Sequence, residues 1–262
     1  MTTATMEKSA TNVVTTAEWL AARKQFLAKE KEFTRMRDEL SRLRREQPWE
    51  KVEKNYVFEG ANGKETLSDL FGRSGQLAIY HFMFGPGWKE GCPSCSYLAD
   101  SFDGARLHLA QRNTAFAVVS RATYPEIEAF KKRMGWQFKW VSSFGTDFNY
   151  DYQVTARKEE NGKTYYNYEM TDFPSEECPG ASMFSKRDGE VFHTYSTYAR
   201  GLDILVPTYN WLDMTAKGRD EDALPWPMAW VRHHDRYGDP KAMDAITLLA
   251  QPLKSCCDEK NS

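Results

Sequence analysis

Two cysteines separated by two residues, Cys92 and Cys95, are the side chains in this sequence best suited to carry chemistry. They lie in the phrase FGPGWKEGCPSCSYLAD, where an apolar run ends, a glycine-rich loop follows and a helix is predicted to begin. A thiolate at the start of a helix is stabilised by unpaired backbone N–H groups and by the helix dipole. The pKa of the Cys92 thiol is therefore expected to fall below that of free cysteine.

The spacing predicts different roles for the two sulfurs. Cys95 lies one helical turn from Cys92, and Pro93 suits the first helical position, where a missing N–H costs nothing. Cys92 would attack a disulfide as the exposed nucleophile, and Cys95 would displace the captured group. Lys89 would add positive charge nearby. The pattern predicts thiol–disulfide exchange on disulfide-containing proteins or small thiols, with an external thiol reductant and no cofactor beyond the redox-active disulfide itself.

Two other uses of the pair remain open from the residues. A zinc site usually has four ligands. Downstream of Cys92 and Cys95, His108 shares the predicted helix, whereas Cys178 and His193 lie far along the chain. Such a site would have to be assembled by folding, and no metal is predicted. The second alternative is a pair of inert, buried cysteines.

Bulk composition argues against several classes of function. The chain has 262 residues, 41% of them hydrophobic and 27% charged, which suits an ordinary globular core. A formal net charge of −2 shows no excess of basic residues that would favour binding to nucleic acid. No apolar run approaches the roughly 20 residues that span a bilayer. The N-terminus lacks the apolar core of a secretory signal, and five cysteines are too scattered for a secreted disulfide framework. A cytoplasmic protein without membrane or nucleic-acid partners is predicted.

The elements that must position the cysteine pair follow an α/β pattern. Three apolar runs are typical of buried strands and cover residues 76–84, 114–120 and 138–144. Amphipathic segments lie between them, at 93–112 and 125–135. An Arg-Asp-Gly turn at 187–189 predicts a later hairpin, and a Tyr-rich insertion before it carries an Asn161-Gly162 turn. Strand, helix, strand, helix, strand and hairpin is the element order of a thioredoxin-like fold.

Segments outside this core complete the predicted organisation. The four parts are a disordered N-terminus at 1–16, an amphipathic helix at 17–47, the thioredoxin-like domain at 48–216 and a C-terminal extension at 217–262. Trp19, Phe26 and Phe33 recur every seven residues, so the helix has an apolar stripe that would pack on the domain or form a homodimer.

The C-terminal extension carries two further groups of chemically capable residues. His233-His234-Asp235 is interpreted as a solvated segment rather than a metal site, because adjacent side chains diverge. Cys256-Cys257 is interpreted as part of a mobile tail, with an electron shuttle to Cys92 as the alternative.

Several motifs together resemble a known family. They are HFMFGPGWKEGCPSCS, VVSRA, RMGWQFKWVSS, DFNYDY and VFHTYSTYARGLD, spread over residues 15–236. In these the chain is similar to a bacterial and fungal thioredoxin-like family of predicted dithiol–disulfide oxidoreductases. The resemblance implies a thioredoxin-like fold and the redox-pair role for Cys92 and Cys95. It implies no substrate.

Comparison with thioredoxin itself suggests supporting residues. Thioredoxin has a cis-proline loop against its redox pair, for which Pro179 is the candidate; Cys178 would then face the site as a third thiol, or else merely occupy a loop. Thioredoxin also has a buried acid beneath its cysteines. His81 is the proposed substitute as proton acceptor for Cys95, with a satisfied core histidine as the alternative. Trp88 would wall the cleft or pack in the core.

Two other functions compete with disulfide exchange. The segment FEGANGKETLSDLFG resembles the entry to peroxiredoxins, which favours a thiol peroxidase. The residues before Cys92 nevertheless lack the Pro-x-x-x-Thr/Ser-x-x-Cys signature of that class. The remaining possibility is a redox-sensing protein that dimerises through the 17–47 helix and has no turnover.

Overall fold

The computed structural model describes residues 12–157 and 163–238. The Asn161-Gly162 turn, the Cys256-Cys257 pair and most of the N-terminal segment predicted to be disordered lie outside the described residues. The chain divides into two compact units, Met1–Pro48 and Trp49–Ser262. Within the described ranges we find no helix with the length and hydropathy of a membrane span.

The first unit contains one long helix, α1, at Thr16–Arg45. It begins with a capping box in which Thr15 Oγ1 accepts from the N–H of Glu18 and the Glu18 carboxylate accepts from the N–H of Thr15. Basic residues in the last turn complement the negative end of the helix dipole. None of the helix residues is buried, and the rings of Phe26 and Phe33 are more than half exposed. Dimerisation through this helix stays a prediction.

The second unit contains the strands and the shorter helices. Its strands are β1 Glu50–Lys51, β2 Val57–Gly60, β3 Gly63–Thr66, β4 Gln76–His81, β5 Thr114–Ser120, β6 Lys139–Ser142, β7 Thr164–Tyr166, β8 Glu169–Thr171, β9 Gly180–Arg187 and β10 Glu190–Tyr198. Its α-helices are α2 Leu67–Leu70, α3 Pro93–Ala99, α4 Phe102–Ala110, α5 Tyr124–Arg133, α6 Phe148–Asp151 and α7 Pro207–Leu212. Short 3₁₀ segments lie at Ala199–Leu205 and His234–Arg236.

The main sheet has eight strands in the order β1-β10-β9-β4-β5-β6-β2-β3. Strands β4, β5 and β6 are parallel and are connected through α3, α4 and α5, whereas β9 pairs antiparallel with β4 and continues into β10. Parallel strands joined by helices, with an antiparallel hairpin beside the central strand, form the thioredoxin-like fold. The fold class predicted from the element order is confirmed.

Local detail departs from the sequence interpretation at the helix that follows the cysteine pair. The single helix predicted over 93–112 is two helices, α3 and α4, separated at Asp100 and Ser101. The Asp100 carboxylate accepts from the indole N–H of Trp136 at 2.8 Å and contacts Nδ1 of His234 at 2.7 Å. These tertiary contacts lie at the break and could not be read from helical periodicity.

Both hairpins turn through left-handed residues. Between β9 and β10 the turn residues Asp188 and Gly189 have φ values of 52° and 83°, at the position that the sequence predicted. In the Tyr-rich insertion, strands β7 and β8 are joined by Asn167 and Tyr168, with φ values of 53° and 67°. The inserted hairpin therefore exists, but its turn lies after the Asn-Gly dipeptide.

Alternation along β4 divides the core between the two faces of the sheet. Leu77 and Ile79 pack with Phe148 of α6 in one buried cluster. Tyr80, and Phe82 just after the end of β4, pack on the other face with Cys95 and the helices that flank it. A strand places successive side chains on opposite faces, so this register decides which β4 residues can reach the cysteine pair.

Candidate active site

Cys92 occupies the N-cap of α3, with φ −56° and ψ 131°, and Pro93 follows at the first helical position. Its backbone N–H donates to the carbonyl of Met83 at 3.0 Å, which ties the helix start to the end of β4. Cys92 is half-buried and Cys95 is only 2% exposed. Both are free thiols, with the outer sulfur one turn from the inner one. This is the arrangement that the sequence predicted.

The residue before the pair is held from two sides. The carbonyl of Gly91 lies 2.8 Å from Nε2 of His233, a side chain that is 2% exposed. A Cβ at Gly91 would come within 2.5 Å of Cε1 of Phe82 and 2.8 Å of Cε1 of Phe130. The close approach to these rings requires glycine, and it fixes where Cys92 enters the helix.

Replacing Gly91 by alanine should therefore lower the free energy of unfolding by about 1–3 kcal/mol, because a methyl group would overpack two core rings. Urea denaturation measures the change. Gly104→Ala is the matched control: its Cβ would meet nothing within 4 Å in α4, and alanine should stabilise that helix by roughly 0.5–1 kcal/mol. Equal stability changes in the two variants would contradict the assignment.

The surroundings of Cys92 lower the pKa of its thiol to about 7. The largest cause is a hydrogen bond from the Cys95 thiol, and the backbone N–H groups of Cys95 and Ser94 add to it. Burial opposes these effects by disfavouring the charge. Cys95 behaves in the opposite way, because burial and the neighbouring Cys92 raise its pKa well above the usual value. The outer sulfur is therefore the more acidic of the two thiols.

Alkylation of the reduced protein by iodoacetamide should show this difference. Only the thiolate reacts, so the rate at Cys92 should rise with pH and reach half its maximum near pH 7, below the value of about 8.5 for free cysteine. Replacing Cys95 by alanine removes the main hydrogen bond and should move the midpoint upward. Mass spectrometry of the Cys92 peptide provides the measurement; a midpoint at the free-cysteine value would contradict the assignment.

The group in contact with the inner sulfur is Tyr80. Its hydroxyl donates to Cys95 Sγ at 3.2 Å, and the backbone N–H of Met83 lies 3.5 Å from the same atom. Sequence reasoning missed Tyr80. The alternation of a strand puts residues 80 and 81 on opposite faces, but the sequence does not show which face the cysteine helix covers.

His81 is not the proton acceptor for Cys95, and that prediction is wrong. The ring packs on the other face of the sheet, against Phe148 and Tyr152, and its Nε2 lies 2.7 Å from Ser182 Oγ. Burial, followed by the nearby His193, lowers the pKa of His81 to about 3. The alternative weighed from the sequence, a satisfied core histidine, describes its burial and its contact with Ser182, but its Nδ1 has no hydrogen-bond partner among the described residues.

Pro179 and Cys178 also differ from their predicted roles. Pro179 precedes Gly180, which pairs with His81, so it lies beside the carboxyl end of β4. The described residues contain no cis peptide bond, so the cis-proline prediction is wrong. Cys178 packs with Tyr166 in a buried cluster distinct from the one that holds Cys95, and burial raises its pKa to about 12. It is a core thiol.

The remaining candidates take structural positions around the loop. Lys89 is exposed, and the groups that lower the pKa of Cys92 are Cys95 and the helix amides rather than this lysine. Trp88 is half-buried and packs on the same cluster as Cys92. The segment His233-His234-Asp235 is interpreted from its sequence as solvated, but His233 is buried and contacts the carbonyl of Gly91 beside the cysteine pair.

An ionic cluster joins the cysteine loop to the C-terminal segment. Glu90 is paired with Arg133 at 2.9 Å and with Arg236 at 2.7 Å, and Arg133 also binds Asp235 at 2.8 Å. Among the residues that the structure describes, no group of three or more His, Cys, Asp or Glu side chains is arranged to hold a metal ion.

Comparison with solved structures returns proteins described as peroxiredoxins, among others. Xylella fastidiosa PrxQ has 15% identity and a TM-score of 0.42, covering 62% of this chain and 94% of its own. The Xanthomonas campestris bacterioferritin comigratory protein has 14% identity and a TM-score of 0.42, over 62% and 96% of the two chains. Mycobacterium tuberculosis peroxidoxin BcpB has 13% identity and a TM-score of 0.39, over 62% and 95%.

Comparison with curated proteins finds no match. A family model described as "Bacterial protein of unknown function (DUF899)" matches residues 8–237, which include the whole sheet and the cysteine pair. The match covers most of the sequence, and the chain therefore belongs to the DUF899 family.

Proposed function

We propose that this protein is a thiol–disulfide oxidoreductase that uses Cys92 and Cys95 as its redox pair. The observation that carries the proposal is the position of Cys92: a half-buried residue at the N-cap of α3, with a thiol pKa lowered to about 7 and a buried second thiol behind it. A thiol with that pKa is substantially ionised at neutral pH, and the proposed exchange requires that a disulfide can reach it.

The reaction has two exchange steps. The Cys92 thiolate attacks a disulfide R–S–S–R′, which forms a mixed disulfide between Cys92 and R–S and releases R′–S⁻. Cys95, as a thiolate, then attacks the Cys92 sulfur, which forms the Cys92–Cys95 disulfide and releases R–S⁻. The released thiolates take up protons from solvent. The protein gives up two electrons, and an external thiol reductant restores the dithiol.

The burial of Cys95 supports this order of the two steps. Cys95 is 2% exposed and has a raised pKa, so it is a poor target for a large disulfide and a weak nucleophile in the resting dithiol. Substrates in this proposal are disulfides of proteins or small molecules, and the reducing cytoplasm is the compartment that would keep the pair reduced.

Steady-state reduction of insulin disulfides by dithiothreitol, with and without the protein, tests the proposal. Acceleration that depends on Cys92 is the expected result. Cys178→Ser is the matched control, because this thiol is buried apart from the pair and should leave the rate unchanged. Hydrogen peroxide is supplied with the same reductant in a parallel assay. Faster consumption of peroxide than of disulfide would favour a thiol peroxidase, and no turnover of either would favour a redox sensor.

A further inference from the structure

The inner cysteine has a polar partner that neither the exchange chemistry nor the cysteine motif requires. The Tyr80 hydroxyl lies 3.2 Å from Cys95 Sγ, and both side chains are at most 3% exposed. The ring is fixed edge-on against Phe82 and Phe102, with centroid distances of 6.2 and 5.1 Å. A hydroxyl held this way on β4 can donate to the sulfur without reorganising.

We propose that Tyr80 is a catalytic group of the second exchange step, donating a hydrogen bond to the Cys95 thiolate while that sulfur attacks the mixed disulfide. This inference rests on the proposed function. It adds a chemical requirement to it, namely a buried hydroxyl donor for the resolving sulfur.

The electrostatics of the site explain why the donor matters in the second step. In the resting dithiol, burial is the main cause of the raised pKa of Cys95. The hydrogen bond with Cys92 and the negative charge of the Cys92 thiolate raise it further. Once Cys92 is in a mixed disulfide its charge is gone, and burial remains as the main obstacle to ionising Cys95. The groups that lower its pKa are the Tyr80 hydroxyl first and then the Met83 N–H. Hydrogen bonds to a charged atom in a dry interior are among the stronger ones.

Tyr80 acts as a donor and not as a base. Burial raises the pKa of its phenol well above the usual value, so it stays protonated. Among the described residues, Tyr166 is a further titratable group that interacts electrostatically with Tyr80 and Cys95. Its hydroxyl is occupied by the carbonyl of Pro179 at 2.7 Å and by the N–H of Ala199 at 2.8 Å. In the resolving step Cys95 loses its proton to solvent, and the Cys92–Cys95 bond forms as the bond between Cys92 and the captured sulfur breaks. The leaving thiolate then takes up a proton.

A stopped-flow experiment with stoichiometric 5,5′-dithiobis(2-nitrobenzoate) separates the two steps. Attack by Cys92 releases one thionitrobenzoate, and attack by Cys95 on the mixed disulfide releases the second. The protein is the full chain with Cys256→Ser and Cys257→Ser, so that the tail thiols do not contribute to the signal. Tyr80→Phe is compared with Tyr198→Phe, a buried tyrosine whose hydroxyl donates to the Tyr152 carbonyl instead.

In Tyr80→Phe the first release should be nearly unchanged, and the second should slow by about three- to tenfold near neutral pH. Losing a charge-assisted hydrogen bond raises the pKa of the resolving thiol, and the higher nucleophilicity of a more basic thiolate offsets about half of the resulting loss in rate. The inflection of the second step should move to higher pH, which a loss of packing alone would not cause. Tyr198→Phe should leave both the rate and the inflection in place.

A second replacement works in the opposite direction and keeps the side chain nearly the same size. With 3-fluorotyrosine at position 80 the phenol is a stronger donor, so the inflection of the second step should move to lower pH. An unchanged second step in both Tyr80 variants would overturn the role of Tyr80. Failure of the parent protein to release the first thionitrobenzoate would instead overturn the proposed function, and the role of Tyr80 with it.

Discussion

Replacing Cys92 by serine is expected to abolish disulfide reduction, with a loss of about a thousandfold or more in the protein-dependent rate. Serine keeps the size and the helix-cap position, but its hydroxyl does not ionise near neutral pH and cannot form the mixed disulfide. In the proposed mechanism the parent sulfur reacts because its pKa is lowered to about 7. Insulin reduction by dithiothreitol, measured at several protein concentrations, gives the rate.

Cys95→Ser is expected to fail at the other step. With Cys256 and Cys257 also replaced by serine, Cys92 can still attack but no neighbouring thiol displaces the captured group, so the variant should accumulate one mixed disulfide per chain that dithiothreitol releases. Intact-mass measurement after exposure to oxidised glutathione detects the adduct. Cys178→Ser should behave like the parent protein. Undiminished turnover in both Cys92→Ser and Cys95→Ser would refute the assignment of the redox pair.

These contrasting results depend on features that the sequence could predict. The Cys-Pro-Ser-Cys phrase follows a buried strand and opens a helix, so the position of Cys92 at a helix start came from local patterns alone. The strand–helix alternation likewise predicted the parallel strands β4, β5 and β6, and the Asp188-Gly189 turn predicted the last hairpin. These features could be predicted because the residues that indicate a strand, a helix or a tight turn lie within the segment that forms it.

The partners of the site could not be predicted in the same way. His81 and Tyr80 are adjacent in a continuous apolar strand, and the sequence does not state which face the cysteine helix covers. The structure places Tyr80 on that face and His81 on the other. A strand buried on both sides has no alternation of polar and apolar residues that would distinguish its two faces. Which of two neighbouring residues faces the cysteine helix is therefore known only from the packing.

Contacts between segments that are distant in the sequence could not be predicted either. His233 lies 142 positions from Gly91 in the chain and reaches its carbonyl. Side chains in the C-terminal segment looked solvated because nothing nearby in sequence could bind them. Long-range pairs of this kind leave no periodic signal in the sequence. This pair joins the cysteine loop to the C-terminal segment.

The buried ion pair between Arg121 and Glu177 is another long-range contact, and it predicts a large effect on stability. Glu177 is 1% exposed, and its carboxylate accepts from Arg121 Nε at 2.8 Å and from Thr155 Oγ1 at 2.9 Å. Arg121→Met would leave a buried carboxylate without its cation and should lower the free energy of unfolding at neutral pH by about 3–5 kcal/mol. Arg106→Met is the control. That arginine pairs with Asp103 at the surface, so its loss should cost at most about 1 kcal/mol.

The pH dependence separates a lost charge partner from a packing defect. Burial raises the pKa of Glu177 above 4.5 even with Arg121 present, and removing the cation raises it further. A raised pKa means that the folded state binds the proton more tightly than the unfolded chain, so this carboxyl favours folding at low pH and opposes it as pH rises. The cost of Arg121→Met should therefore shrink on acidification toward pH 4.5. In the double variant Arg121→Met/Glu177→Gln no buried charge remains, so most of the cost should disappear at neutral pH; urea denaturation that shows additive losses instead would mean that the two side chains act independently.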